Sequence, residues 1–173
     1  MFDSTKDLLD KIRLGEDSFL EFKEVRFAGK RVSAPQRDSL ADELAAFANA
    51  RGGVCVLGVE DRTRDIVGIP MERLGLVEDL VREVCNDSIE PALFPVIERL
   101  LLPTTLGTET PVLKIEVSRS LFVHRSPGGY FHRVGSSKRV MPPDYLARLF
   151  QQRSQTRIIR FDEQIVSRAT LSD

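Results

Sequence analysis

Apolar residues recur along this chain with two periods, and the changes of period divide it into elements. Between residues 4 and 13, Leu8, Leu9 and Ile12 stand at helical spacing behind Ser4 or Thr5 as N-cap, with Gly15 as a stop, which predicts a short amphipathic helix. From Leu20 the pattern alternates, with Leu20, Phe22 and Glu24 on one face and Glu21, Lys23 and Val25 on the other, as in a strand. The basic stretch 27–35 reads as a loop. Pro35 then opens a helix to about Asn49, whose stripe is Leu40, Leu44, Phe47 and Ala48.

Arg51-Gly52-Gly53 reads as a helix stop and turn, and the unbroken apolar run 54–59 predicts a central strand buried on both faces. The polar turn 60–65 leads to a short strand at 66–69, so a hairpin is expected there. Leu76, Leu80, Val81 and Val84 predict a helix within 70–86, and 94–102 and 111–117 read as strands joined by a Thr/Gly-rich turn. Segments 122–125 and 130–134 flank Ser126-Pro127-Gly128-Gly129, which predicts a hairpin because glycine supplies positive φ. Pro142-Pro143-Asp144 starts a last helix to about Gln152, with Tyr145, Leu146, Leu149 and Phe150 apolar. The expected fold class is α+β: a mixed, largely antiparallel sheet with helices packed on it. The expected domain spans 1–153, and 154–173 reads as an arm or linker toward a domain absent from the chain.

Composition adds little to this, but charge adds more. With 173 residues, 42% hydrophobic and 29% charged, the chain has the make-up of an ordinary globular domain. No window has the roughly 18 consecutive apolar residues of a membrane span, and the start lacks a secretory h-region, so a cytoplasmic protein without membrane partners is expected. Cys55 and Cys85 lie in apolar patterns and read as buried thiols, so no zinc is expected. The net charge of −1 conceals a polarised chain. From Arg119 to Arg160 the basic residues are Arg119, Arg125, Arg133, Lys138, Arg139, Arg148, Arg153, Arg157 and Arg160, against Asp144 alone. Such a segment can face a polyanion, since short-range fields follow local charge; its bland alternative is a solvated surface.

Two constellations could carry chemistry. Glu16, Glu21 and Asp61 would meet at one rim if the strand at 20 and the buried strand are neighbours, and converging carboxylates hold Mg²⁺ or Mn²⁺. Otherwise Glu16 is a loop carboxylate, Glu21 pairs with Lys23 or an arginine, and Asp61 caps a turn. The second is a basic ribbon of Lys23, His124, Arg125, His132, Arg133, Lys138 and Arg139 with Tyr130 and Phe131 interleaved, suited to phosphates and stacked bases. The sequence has no phosphate-loop motif and no G-x-S-x-G elbow.

The runs Gly15-Glu16, Glu21-Phe22-Lys23, Leu44-Ala45-Ala46-Phe47-Ala48-Asn49-Ala50-Arg51-Gly52-Gly53 and Leu57-Gly58-Val59-Glu60-Asp61 resemble the Schlafen AlbA-2 domain. So do Gly68, Pro111-Val112-Leu113 and the run from Gly129 to Arg139, in the family's order and over about residues 10–153. The resemblance implies a nucleic-acid-associated domain, as in bacterial regulators, related to the ribonuclease core of animal Schlafens. There three acidic residues, matching Glu16, Glu21 and Asp61, form a metal-dependent site acting on transfer and ribosomal RNA, so the expected ion is Mg²⁺ or Mn²⁺. Animal cores join two lobes and carry zinc; this chain has one lobe, so a homodimer is expected to grip nucleic acid. The leading expectation is RNA or single-strand binding, with endoribonuclease activity at those carboxylates. Lys23, Arg125, Tyr130, Arg133, Lys138 and Arg139 are expected to hold the strand. The competing expectation is a non-catalytic DNA-binding or protein-interaction module of a transcriptional regulator. Related proteins are also described as ATP-binding, for which no phosphate loop speaks here.

Overall fold

An unbroken apolar run needs apolar cover on both sides, and the fold supplies it around strand β4 (Gly52–Leu57), all of which is buried. The computed structural model describes residue 2 and residues 4–169, with side chains as far as Arg157. Strand β1 (Leu20–Lys23) pairs with β4 in parallel, and β6 (Glu109–Ser118) pairs with it antiparallel on the other side. Strand β5 (Val96–Pro103) completes a mixed four-stranded sheet in the order β1-β4-β6-β5.

Strand alternation then sorts side chains between two layers. Val54 and Val56 join Leu20 and Phe22 beneath Leu8 and Ile12 of helix α1 (Thr5–Leu14), whose N-cap is Ser4. Cys55 and Leu57 face the opposite way, onto Leu40, Leu44 and Phe47 of α2 (Arg37–Asn49) and Val77, Val81 and Val84 of α3 (Leu74–Asp87). Each such fully buried aliphatic or aromatic side chain contributes about 1.5–3 kcal/mol. The α+β expectation therefore holds. Because Leu20 and Phe22 point toward α1, Glu21 and Lys23 must point toward α2.

The glycine pair that opens β4 does more than stop a helix. Gly52 has φ 82°, and a Cβ there would lie 2.7 Å from the Val117 carbonyl oxygen. A Cβ on Gly53 would overlap the Phe47 ring, so α2 can lie this close to β4 only over glycine.

Several segments differ from expectation. The basic stretch read as a loop is a hairpin, β2 (Arg26–Ala28) and β3 (Arg31–Ala34), turning at Gly29 with φ 62°. Its short, half-exposed strands show little apolar alternation. The expected strand at 66–69 is reduced to a single bridge between Val59 and Ile66. The expected hairpin around Ser126–Gly129 also shrinks to a bridge, because Asp42 holds that turn from α2 by accepting from Ser126 Oγ (2.7 Å) and Gly128 N (3.1 Å). The ribbon forms one step later, between β7 (Phe131–Val134) and β8 (Ser137–Val140), across Gly135-Ser136. The last helix, α4 (Pro143–Ala169), passes residue 153 without a break; 170–173 of the expected arm lie outside the described residues. Among the described residues no helix is long and apolar enough to cross a membrane.

Gly53→Ala is expected to cost about 1–3 kcal/mol by overpacking against Phe47. Gly75→Ala, in α3 with open space around the added methyl, should raise stability by up to about 1 kcal/mol. Denaturant melts of the two variants check this, and equal midpoints would contradict it.

Candidate nucleic-acid interface

Arg133 is the third residue of β7, so it shares the inward face of the ribbon with Phe131 and, across the ladder, with Lys138. That face meets the side of the sheet to which Glu21 is turned. The guanidinium is almost wholly enclosed, with 1% of the side chain exposed. Its Nη1 donates to Glu21 Oε2 at 2.8 Å and to Glu43 Oε2 on α2 at 3.0 Å, its Nη2 to the Asp17 carbonyl at 2.6 Å, and its plane lies 4.7 Å from the Phe47 ring centre. Lys23 Nζ lies 3.2 Å from Glu21 and 3.8 Å from Glu43, and Lys138 Nζ lies 3.5 Å from Glu43. Two carboxylates and three cations thus form one network linking β1, α2, β7 and β8. Burial lowers the Lys23 pKa, but the charges of Glu21 and Glu43 outweigh it and leave the ammonium above its ordinary value.

The expected site residues divide accordingly. Glu16 reaches Glu21 and accepts from Phe22 N at 3.1 Å; burial, then the neighbouring Glu21 charge, raise its carboxyl to about 7. Asp61 stands exposed in the turn after β4. Among the described residues no three His, Cys, Asp or Glu side chains gather so as to hold a metal ion. Glu21 directs both oxygens at cations of the protein, and Glu16 accepts from Phe22 N. This donor set does not fit a divalent ion, which needs ionised oxygens facing open water positions.

The ribbon residues are also mostly engaged. Lys23, Arg133 and Lys138 belong to the network. Arg125 pairs with Glu90 at 3.1 Å, and Tyr130 packs edge-on against Phe150 at 5.8 Å. Arg139 alone of the expected set is exposed and unpaired among the described residues. The positive ribbon meets Glu21 of the expected acidic rim in direct contact, while Asp61 takes no part. Of the two histidines, His124 is buried with Nδ1 2.5 Å from the Pro91 carbonyl and Nε2 2.6 Å from Ser120 Oγ, and burial holds its pKa below the ordinary value. It serves structure.

The free positive charge lies beside this network, in a cleft of about 430 Å³ between the end of α2, the ribbon and α4. Its walls include Asn49, Arg51, Arg119, His132, Tyr145 and Arg153, and no carboxylate among the described residues. Arg51 and Arg119 are exposed and unpaired. Arg153 is 3% exposed; its Nη atoms donate to the carbonyls of Ala48 (3.0 Å), Asn49 (2.7 Å) and Phe122 (2.6 Å), capping the negative end of α2. Burial, then the nearby Arg119 charge, push it down to about 10. His132 lies against Tyr145 with ring centres 4.8 Å apart and planes tilted by 41°, and burial keeps its pKa below the ordinary value. Asn49 donates to the His124 and Phe131 carbonyls at 2.8 and 2.9 Å, tying the ribbon to α2.

Sequence reasoning missed Glu43, Arg51, Arg119, Tyr145 and Arg153 as a group. Glu43 carried a signal: it stands three residues after Leu40 and four before Phe47, inside the apolar stripe, where a charge needs a partner. Arg119 and Arg153 are distant in sequence and meet only through the fold.

The family model described as Schlafen, AlbA_2 matches residues 16–142. A crystal structure of the DIP2311 protein from Corynebacterium diphtheriae is 28% identical, over 72% of this chain and 22% of that one, with a TM-score of 0.49. The chain thus spans under a quarter of that protein's length.

Arg133→Met is expected to cost about 3–5 kcal/mol, because Glu21 and Glu43 are left buried without their main partner. Replacing all three at once, with Glu21→Gln and Glu43→Gln added, should cost less than the single change. Urea unfolding reads both, and a single-variant loss below about 1 kcal/mol would contradict the assignment.

Proposed function

The chain belongs to the Schlafen, AlbA_2 family, a family associated with nucleic acids, and from that premise we propose that it binds nucleic acid, with RNA or single strands preferred. The observation that carries this reading is the concentration of unpaired cations on one side. Arg51 and Arg119 flank the cleft, and Arg139 lies directly across the ladder from His132, on the ribbon face that meets it. Exposed arginines without neighbouring carboxylates neutralise phosphates and release counterions. The partly exposed Tyr145 ring beside them offers a stacking surface, which an unpaired base can use and a paired one cannot. A homodimer belongs to the same reading, since a second copy of this lobe would grip the strand from its other side.

No metal-dependent step enters this reading, since Arg133 and Lys23 neutralise the carboxylates that an ion would need. A duplex-DNA or protein-binding regulatory module is the alternative, and the same experiment separates it.

Anisotropy titrations of a short single-stranded RNA and of duplex DNA should show tighter binding to the single strand, weakening steeply with salt. Arg119→Gln with Arg139→Gln should reduce the log–log salt slope by about 1.4, at about 0.7 per phosphate contact on single strands. A flat salt dependence would contradict the proposal. Binding should be the same in Mg²⁺ and in EDTA, and transfer RNA incubated with Mn²⁺ should stay intact. Mn²⁺-dependent cleavage abolished by Glu21→Ala would contradict the structural role given to that carboxylate.

A further inference from the structure

The cleft beside the ribbon has a composition that a surface merely following a phosphate backbone does not require. Its cations stand at two depths: Arg51 and Arg119 at the mouth, exposed, and Arg153 at the base, buried. Arg133 also lines it, but its charge is met by Glu21 and Glu43. Arg153 has no such compensation: its hydrogen-bond partners among the described residues are neutral carbonyls at the end of α2 and of Phe122. A buried cation held by dipoles alone is costly, and an anion entering the cleft relieves that cost. Among the described residues, the buried side-chain nitrogens without a hydrogen-bond acceptor are Arg133 Nε and Arg153 Nε, both on arginines of this cleft. Buried donors are ordinarily satisfied; Arg133 has Glu21 and Glu43 to balance its charge, so Arg153 is the arginine left to gain from a ligand rich in acceptor oxygens.

We propose that this cleft receives a phosphomonoester, the terminal phosphate of a nucleotide, with Arg51, Arg119 and Arg153 meeting its oxygens and the adjacent base resting on Tyr145. This rests on the nucleic-acid-binding reading and narrows it from backbone to terminus. Three considerations select this ligand. A phosphomonoester carries close to two charges at neutral pH, against one on a diester, and so answers several clustered arginines. Guanidinium groups match phosphate oxygens in paired, charge-assisted hydrogen bonds. A concave space of about 430 Å³ accepts a terminal group with its sugar, whereas a continuing strand has to pass over it. His132 lies against Tyr145, and the two rings border the cleft as a stacking platform.

The phosphomonoester can come from a strand end or from a free mononucleotide, and one experiment separates the sources. An internally labelled ten-nucleotide single strand is titrated in three forms: 5′-phosphate, 3′-phosphate and hydroxyl at both ends. The wild-type chain should bind one phosphorylated form about tenfold more tightly than the hydroxyl form, the difference one charge-assisted pair supplies. Arg119→Gln, and Arg51→Gln with it, should erase that preference while the hydroxyl form loses less affinity. Both arginines are exposed, so the variants should melt with the wild type. Adenosine monophosphate displacing the strand where adenosine does not would support the phosphomonoester and admit the free nucleotide as a source. Equal affinity for all three forms overturns the terminal-phosphate assignment and leaves nucleic-acid binding standing. Absence of binding by any form overturns both.

Discussion

One buried guanidinium holds this domain together where it matters for function. Arg133 joins the ribbon to the first strand of the sheet through Glu21 and to helix α2 through Glu43, and its plane covers Phe47. Without it two carboxylates would be enclosed with only the partly exposed Lys23 and Lys138 to balance them. The position of the ribbon over α2, and the cleft along its side, therefore depend on a charge network in low dielectric rather than on apolar burial. The hydrophobic cluster under the ribbon is small, Val123, Met141 and Leu149 with Tyr130 and Leu146 against them, which makes the ionic tie more consequential.

That tie also changes what the acidic residues are for. In sequence, Glu16 and Glu21 stand next to a strand and suggest an ion-binding rim. In the fold, Glu21 is an acceptor for arginine and lysine, Glu16 leans on it with a raised pKa, and Asp61 stands apart in an exposed turn. The same network takes up Lys23, Arg133 and Lys138, which explains why the residues available to a polyanion are others. Arg51, Arg119 and Arg139 keep their charge free among the described residues.

Much of the fold was legible because period and burial agree. The run 54–59 announced the central strand, the stripe of Leu40, Leu44 and Phe47 announced α2, and the alternation of Leu20 and Phe22 announced β1. The hairpin at Arg26–Ala34 was not legible, because short half-exposed strands carry no apolar alternation. The ribbon was misplaced by one strand because Gly128 and Gly129 look like a hairpin turn, while Asp42, far away in sequence, holds that segment as a loop. The site was less legible than the fold. Charge counting located the basic segment but could not say which cations were neutralised inside the domain. That depends on Glu43 and on strand parity, and Arg153 was placed only by its carbonyl partners at the end of α2.

The central claim is a division of labour among arginines, and side-chain NMR reads it directly. Arginine Nε–H resonances of the wild-type chain, followed while a single-stranded oligonucleotide is added, should shift for Arg51, Arg119 and Arg153 and stay in place for Arg133. Stationary signals for those three, with changes confined to the surroundings of Glu21 and Asp61, would contradict the account.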